Sequence, residues 1–84
     1  MDTKVLFVVN PVSAGKKTLQ EWPGFEQQLK ALGHKFDWKF TTHAEHATEI
    51  TRDALKVGYD LIVSVGGDGT MNEIVNGFFE NEKP

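Results

Sequence analysis

The stretch LIVSVGGDGTMNEIVNGFF, residues 61–79, contains the strongest fold signal in this 84-residue chain. An apolar run of strand character, residues 60–65, leads into the loop Gly-Gly-Asp-Gly-Thr, and a helical pattern follows from Thr70 to Phe79. Four apolar residues are expected on the buried face of that helix: Met71, Ile74, Val75 and Phe78. The glycine loop therefore joins a β-strand to an α-helix.

A strand followed by a helix is also predicted at the start of the chain. Residues 4–9 form a continuous apolar run, which is typical of a strand buried on both faces of a parallel sheet. A helix is predicted over residues 18–32, with Gly33 as its terminating residue. Pro23 and Gly24 weaken the early part of this helix, and a start near Pro23 is the alternative.

The third unit lies between these two. Residues 34–41 alternate aromatic and charged side chains, which predicts a half-covered strand at a sheet edge. Residues 44–58 then predict a helix that ends at Gly58. Its expected apolar face contains Ala47, Ile50, Ala54, Leu55 and Val57.

Three βα units predict an α/β fold with three layers, a parallel sheet and right-handed crossovers. Ligands of such sheets bind beyond the carboxyl ends of the strands, where the strand order reverses. The two most loop-like strand ends follow the first and third strands. If both border one site, their strands are neighbours, which predicts the strand order 2-1-3.

Composition restricts the possible partners. The net charge is −3 with scattered basic residues, which argues against nucleic acid and leaves small molecules or proteins. The chain contains no cysteine, so disulfides and thiolate metal sites are excluded. The apolar run near the start is too short for a signal peptide or a membrane span, and we expect a cytoplasmic protein. A three-stranded sheet is small, so we expect a fragment of a longer protein or a homo-oligomer.

The glycine loop has the chemistry of a phosphate site. Gly66, Gly67 and Gly69 allow a close backbone approach, and the N–H groups at the start of the next helix favour an anion. Thr70 is a suitable N-cap residue whose hydroxyl could also meet a phosphate oxygen. Asp68 would repel phosphate unless it serves a cation such as Mg²⁺. The alternative is a tight turn in which Asp68 is only a turn or cap residue.

A second candidate loop is NPVSAGKK, residues 10–17. Its hydroxyl, amide and ammonium groups could bind phosphate, or the loop could be a surface turn with solvated lysines. His43 and His46, with Glu45 and Glu49, are interpreted as a helix start with solvated charges rather than a metal cluster. Glu73 is either a first-turn helix acid or a member of the site.

Three segments together resemble the catalytic domain of the diacylglycerol kinase-like lipid kinases, a superfamily that includes sphingosine and ceramide kinases. They are NPVSAG at residues 10–15, TTHAEHA at 41–47 and GGDGTMNEIVNG at 66–77. GGDGT alone is shared with NAD kinases, and a near relative occurs in phosphofructokinases, whereas the extension MNEIVNG is similar to lipid kinases. The resemblance covers essentially the whole chain. It implies part of a larger phosphofructokinase/NAD kinase-like nucleotide-binding domain.

This resemblance implies ATP and Mg²⁺ as cofactors, with Asp68 as the catalytic carboxylate that serves Mg²⁺ indirectly, through water. The residues implied to bind the nucleotide are Asn10, Pro11, Val12, Ser13, Ala14, Thr41, Gly66, Gly67, Asp68, Gly69, Thr70, Met71 and Asn72. Thr42 is the alternative to Thr41. Many members have glycine where Ala14 stands. Glycine adopts a positive φ readily and alanine does not, so a positive φ at this position would destabilise the loop.

The resemblance further implies a phosphotransferase that moves the γ-phosphoryl group of ATP to a lipid hydroxyl, as in diacylglycerol, at a membrane surface. Residues 1–84 would be the amino-terminal portion of its ATP-binding domain. The catalytic base and lipid site would belong to a carboxyl-terminal β-rich domain outside this chain, so we expect the isolated chain to be inactive. The alternatives are a non-catalytic nucleotide-binding or self-associating module and an NAD kinase-like enzyme.

Overall fold

The computed structural model describes residues 3–82 and contains three alternating strands and helices. The strands are β1 (Val5–Val9), β2 (Asp37–Phe40) and β3 (Leu61–Val65). The helices are α1 (Ser13–Ala31), α2 (His46–Val57) and α3 (Asp68–Glu82). Within residues 3–82, no helix combines the length and apolar character that crossing a bilayer requires.

The three strands form a parallel sheet in the order β2-β1-β3, which confirms the predicted order. Leu6 pairs with Asp37 of β2 on one side and with Ile62 of β3 on the other. The continuous apolar run thus forms the central strand, and the alternating aromatic run forms an edge strand, as predicted. All three strands end at one edge of the sheet, where the candidate site lies.

The sheet is covered on both faces, which confirms the three-layer arrangement. Because side chains alternate along a strand, Leu6 and Val8 of β1 face one side and Phe7 faces the other. On the first side these residues pack with α2 and α3 through Ala47, Ile50, Ala54 and Ile74. On the second side an aromatic cluster joins β1, β2 and α1: Phe7, Trp22, Phe25, Phe36 and Trp38.

Helix α1 differs from the prediction at its start. A left-handed kink at residues 14–16 separates Ser13 from the regular helix, which continues through Pro23. The alternative start near Pro23 is therefore wrong. Burial of Trp22 explains why the helix begins before Pro23. Trp22 is 2% exposed, and the helical turns that precede the proline hold it against the sheet. Gly33 has φ +84°, the left-handed conformation expected after a helix end.

Helix α2 ends at Gly58 with φ +99°, as the sequence predicts. Its buried face differs in part from the expected one. Val57 is 64% exposed, whereas Thr48 and Thr51 are buried. The two threonines are buried because α3 packs against the side of α2 on which they lie. Two polar residues outside the predicted apolar face therefore belong to a helix–helix contact.

Gly77 makes that contact possible. A Cβ atom at this position would lie 2.7 Å from Thr51 Cβ and 2.8 Å from the Thr48 carbonyl oxygen. The two helices therefore approach at a distance that only glycine permits. The predicted stripe of α3 is wrong except at Ile74, because Met71, Val75 and Phe78 are 56%, 43% and 39% exposed.

Candidate functional site

The loops after the three strands meet at the carboxyl edge of the sheet. The backbone N–H of Asn10, just after β1, donates to the Val65 carbonyl at the end of β3 (2.8 Å). The N–H of Thr41, just after β2, donates to the Val9 carbonyl (2.8 Å). The parallel register thus brings together the three segments on which the sequence resemblance rests.

A cavity of about 290 Å³ lies between these loops. Four of the predicted nucleotide-binding residues line it: Asn10, Val12, Thr41 and Thr70. Thr42 and Glu73 also border it. The other predicted residues do not line this cavity. Pro11 lies in the turn after β1, and Ser13 and Ala14 lie in the kinked first turn of α1. The remaining ones lie at the junction of β3 and α3: Gly66, Gly67, Asp68, Gly69, Met71 and Asn72.

The Asn10 side chain connects the first and third loops. Its Nδ2 atom donates to Thr70 Oγ1 at 3.3 Å, and its Oδ1 atom accepts from the backbone N–H of Val12 at 3.1 Å. The second bond closes an Asx turn that directs the chain out of β1. Thr70 is only 4% exposed, so its hydroxyl is withdrawn from solvent and bound to the amide.

The glycine at the end of β3 is required by close packing. A Cβ atom at Gly66 would lie 2.7 Å from Thr70 Oγ1 and 3.1 Å from Asn10 Cβ. Real Cβ atoms do not approach other atoms so closely, so a larger residue would separate the two loops. Sequence reasoning assigned this glycine to phosphate approach, and the structure adds a role in keeping Asn10 and Thr70 together.

Helix α3 begins two residues before the predicted start. Its first residue is Asp68, and the Gly67 carbonyl accepts hydrogen bonds from the N–H groups of Thr70 (3.1 Å) and Met71 (3.3 Å). The expectation that Thr70 is the N-cap is therefore wrong. Asp68 is exposed in the first turn, where the helix dipole favours a carboxylate.

The start of α1 has an uncommon backbone. Ala14, Gly15 and Lys16 have φ values of 54°, 65° and 74°, all left-handed. Two of them carry side chains, which costs about 1–2 kcal/mol per residue. Ser13 Oγ supports the turn by donating to the Asn10 carbonyl at 2.9 Å. The positive φ that would make Ala14 unfavourable is therefore present.

Thr42 is held by two histidines at the start of α2. Its backbone N–H donates to His46 Nδ1 at 2.9 Å, and its hydroxyl lies 3.0 Å from His43 Nδ1. Candidate ligand atoms of His43, His46 and Glu49 lie within 4.8 Å of one another. However, an Nδ1 that accepts an N–H leaves the proton of neutral His46 on Nε2, where a metal would bind. In this arrangement neutral His46 has no free lone pair at Nε2 for a metal.

Glu73 joins α3 to the start of α2. Its Oε1 atom accepts from the Ala47 N–H at 3.2 Å, and its backbone carbonyl accepts from Thr48 Oγ1 at 2.7 Å. Its side chain also borders the cavity. Because α3 begins at Asp68, Glu73 is not in its first turn, and the interpretation of Glu73 as a first-turn helix acid is wrong. Its membership of the site stays a prediction. Sequence reasoning missed the contact with the start of α2, which has no local sequence signal.

These groups together suit an anionic ligand. The cavity is lined by amide and hydroxyl side chains, and α3, which contributes Thr70 to it, begins at the same edge of the sheet. Asp68 supplies an exposed carboxylate at the same helix end. A carboxylate oxygen near phosphate oxygens is the ligand combination that Mg²⁺ prefers, so the residues present fit a phosphate–Mg²⁺ ligand.

Comparison with known proteins identifies the family. Residues 4–84 match the diacylglycerol kinase catalytic domain. A Streptococcus pneumoniae protein named "putative lipid kinase" is 34% identical over 79 residues, which are 94% of this chain and 27% of that protein. The Bacillus subtilis diacylglycerol kinase is 34% identical over 70 residues, which are 83% of this chain and 23% of that protein.

A solved structure supports the same conclusion. A protein from Bacillus anthracis, described as "a putative diacylglycerol kinase", superposes with a TM-score of 0.75 at 30% identity, over 88% of this chain and 26% of that one. The chain belongs to the diacylglycerol kinase catalytic domain family. It spans about a quarter of the length of each of these three relatives.

Proposed function

We propose that this chain is the ATP-binding part of a lipid kinase, which transfers the γ-phosphoryl group of ATP to a lipid hydroxyl at a membrane surface. One observation carries the proposal. The Gly-Gly-Asp-Gly-Thr loop meets the loop of Asn10 at the carboxyl edge of a parallel sheet, and a hydrogen bond from Asn10 to Thr70 joins them. Membership of the diacylglycerol kinase catalytic domain family supports phosphoryl transfer to a lipid as the chemistry of this edge.

Different segments of the site bind different parts of the nucleotide. Backbone N–H groups at the start of α3 receive phosphate oxygens, because that helix end carries partial positive charge. The loops containing Asn10 and Thr41 hold the nucleotide from two sides of the cavity. Thr41 is the better candidate for a nucleotide contact, since the hydroxyl of Thr42 already lies within hydrogen-bond distance of His43 and His46.

Asp68 is the residue that would hold Mg²⁺, through bound water. The ion, when bound, supplies positive charge that offsets the negative charge of the phosphates. Asp68 is the first residue of α3, so the same helix would position the carboxylate and bind the phosphates. Positioning and charge stabilisation are the main contributions that proteins make to phosphoryl transfer.

We propose that the reaction also needs residues outside residues 1–84. The chain spans about a quarter of its relatives, and we assign residues 1–84 to the amino-terminal portion of the ATP-binding domain. The catalytic base and the lipid site would lie in a carboxyl-terminal β-rich domain. The isolated chain should therefore bind Mg²⁺-ATP without phosphorylating diacylglycerol.

A chimera tests the proposed activity. Residues 4–84 replace the matching segment of the Bacillus subtilis diacylglycerol kinase, and transfer of labelled γ-phosphate is measured on diacylglycerol, sphingosine and ceramide. We expect phosphorylation of at least one lipid, and loss of turnover in the Asp68→Ala chimera. Thermal unfolding of both chimeras checks that each is folded, since an exposed carboxylate contributes little to the core.

Two results oppose the proposal. A chimera that unfolds cooperatively but phosphorylates none of the lipids contradicts the kinase function of this segment. Activity of Asp68→Ala within a few-fold of the parent contradicts the role of Asp68. Phosphorylation of NAD by the folded chimera would favour the NAD kinase alternative.

A self-associating module is the second candidate, and the exposed face of α3 favours it. Met71 and Phe79 are 56% and 61% exposed, and Val75 and Phe78 are also exposed. Apolar residues grouped in this way favour association with another surface. Sedimentation of the isolated chain over a range of concentrations distinguishes a monomer from a homo-oligomer.

A further inference from the structure

Helix α2 begins without a side-chain cap of its own. Its N-cap residue, Glu45, has φ +66° and makes no capping hydrogen bond. The N–H groups of a first helical turn need acceptors, and side chains usually supply them. Here the Ala47 N–H is bound by Glu73 Oε1, from α3. The start of α2 is therefore fixed to the helix that follows the glycine loop.

His46, the first residue of α2, extends this connection back towards β2. Its Nδ1 atom accepts from the backbone N–H of Thr42 at 2.9 Å, and its ring stacks on His43 at 4.3 Å with an interplanar angle of 18°. The His46 ring is half-buried, whereas Thr42 is exposed.

The residue pair Thr41–Thr42 is consequently held at both backbone N–H groups. Thr41 donates to the Val9 carbonyl of β1, and Thr42 donates to His46. Both threonines border the cavity that the Asn10 and Thr70 side chains also line. Of the two holding groups, only the imidazole can be changed without altering the sheet.

We infer that His46 is a positioning residue for nucleotide binding: it fixes the Thr41–Thr42 segment against the cavity by accepting the Thr42 N–H. This inference rests on the proposed ATP function of the cavity. His46 does not need to touch the nucleotide, because its Nδ1 atom is already occupied by Thr42. Instead, His46 holds the backbone of Thr42, and this backbone positions the neighbouring Thr41, whose hydroxyl is the proposed nucleotide contact.

Three substitutions separate the positioning role from a general structural one. Asparagine places its Oδ1 atom where histidine has Nδ1, so His46→Asn keeps an acceptor for Thr42. Glutamine places its polar atoms where histidine has Nε2, so His46→Gln loses that acceptor while staying polar. His46→Ala loses it altogether. The measurements are Mg²⁺-ATP affinity by calorimetry and the Thr42 amide resonance by NMR in the 84-residue chain.

We expect His46→Ala and His46→Gln to weaken Mg²⁺-ATP binding by about fivefold, the effect of one net hydrogen bond, and to move the Thr42 amide proton upfield. His46→Asn should restore both values to near those of the wild type. Equal affinity in the wild type and His46→Ala overturns the positioning role while leaving the proposed function intact. Equal loss in the asparagine and alanine variants also overturns it. Absence of any ATP binding by the folded wild-type chain overturns the proposed function itself.

Discussion

Asn10 Nδ2 donates a hydrogen bond to Thr70 Oγ1 at 3.3 Å, and this bond joins two loops that are 60 residues apart in sequence. Thr70 is nearly buried, so its hydroxyl has exchanged water for the amide. The bond fixes the first turn of α3 relative to the end of β1. The candidate phosphate-binding helix end is thereby held at a constant distance from the Asn10 loop.

We predict opposite effects for the same substitution at two buried threonines. Thr70→Val removes the acceptor of Asn10 and should lower the free energy of unfolding by about 1 kcal/mol. Thr51→Val should raise it by about 1 kcal/mol, because burying a hydroxyl without a partner is unfavourable. Thr51 is fully buried, and within the described residues its hydroxyl has no hydrogen-bond partner. Urea unfolding measures both; a loss of stability in Thr51→Val would contradict this account.

Gly77→Ala should destabilise the protein by about 1–3 kcal/mol, because the new methyl group overlaps the backbone and side chain of α2. The matched control is Gly24→Ala in α1, where an added Cβ meets nothing within 4 Å. That control should be stabilising by about 0.5–1 kcal/mol, since alanine favours a helix interior over glycine. Equal unfolding midpoints for the two variants would refute the close α2–α3 contact.

Ala14→Gly should stabilise the chain by up to about 1 kcal/mol, since glycine adopts the left-handed conformation without a steric cost. The greater flexibility of glycine in the unfolded chain limits the increase. Ala31→Gly is the control, because Ala31 is exposed at the end of α1 and has ordinary helical backbone. It should be neutral or destabilising. A stability decrease in Ala14→Gly would show that position 14 does not adopt positive φ.

Tyr59 donates a hydrogen bond to Asp37, and this bond together with burial raises the pKa of the phenol above its ordinary value. The bond exists only while the phenol is protonated. Its stabilising contribution is therefore complete below the ordinary pKa of about 10, and it is lost as the pH rises through the higher folded value.

Because Tyr59 is the single tyrosine, its ultraviolet titration can be assigned without ambiguity. Asp37→Asn removes the neighbouring charge and should bring the pKa back towards its ordinary value. Asp53→Asn, the same change on the exposed surface of α2, should leave the titration unchanged. If the tyrosine titrates identically in all three chains, the Asp37–Tyr59 contact is absent in solution.

The architecture could be predicted from the sequence because the central and edge strands have different hydrophobic patterns. A continuous apolar run marked β1 as central, alternation marked β2 as an edge, and the requirement that two loops border one site predicted their order. The buried face of α3 was not predictable in the same way. Its apolar residues follow helical spacing, yet only Ile74 has a packing partner that buries it.

The sequence predicted which loops form the candidate site, but it did not predict the side-chain contacts that hold those loops in place. Asn10, Thr41 and Thr70 come together as their loops suggested, since parallel strands end at one edge. The contacts of His46 with Thr42 and of Glu73 with Ala47 depend on tertiary packing between α2 and its neighbours. The sequence around Glu45 does not predict these contacts, because the Ala47 N–H is capped from another helix and the His46 ring binds the N–H of a residue that precedes α2.

The central claim is that this chain binds Mg²⁺-ATP at the carboxyl edge of its sheet. Its most direct test is a titration of the isotopically labelled 84-residue chain with Mg²⁺-ATP, followed by NMR. The account predicts saturable shifts of the amides of Asn10, Thr41 and the Gly66–Asn72 loop, and weaker binding when Mg²⁺ is omitted. Absence of saturable shifts in the folded chain, or shifts confined to the opposite edge of the sheet, would contradict it.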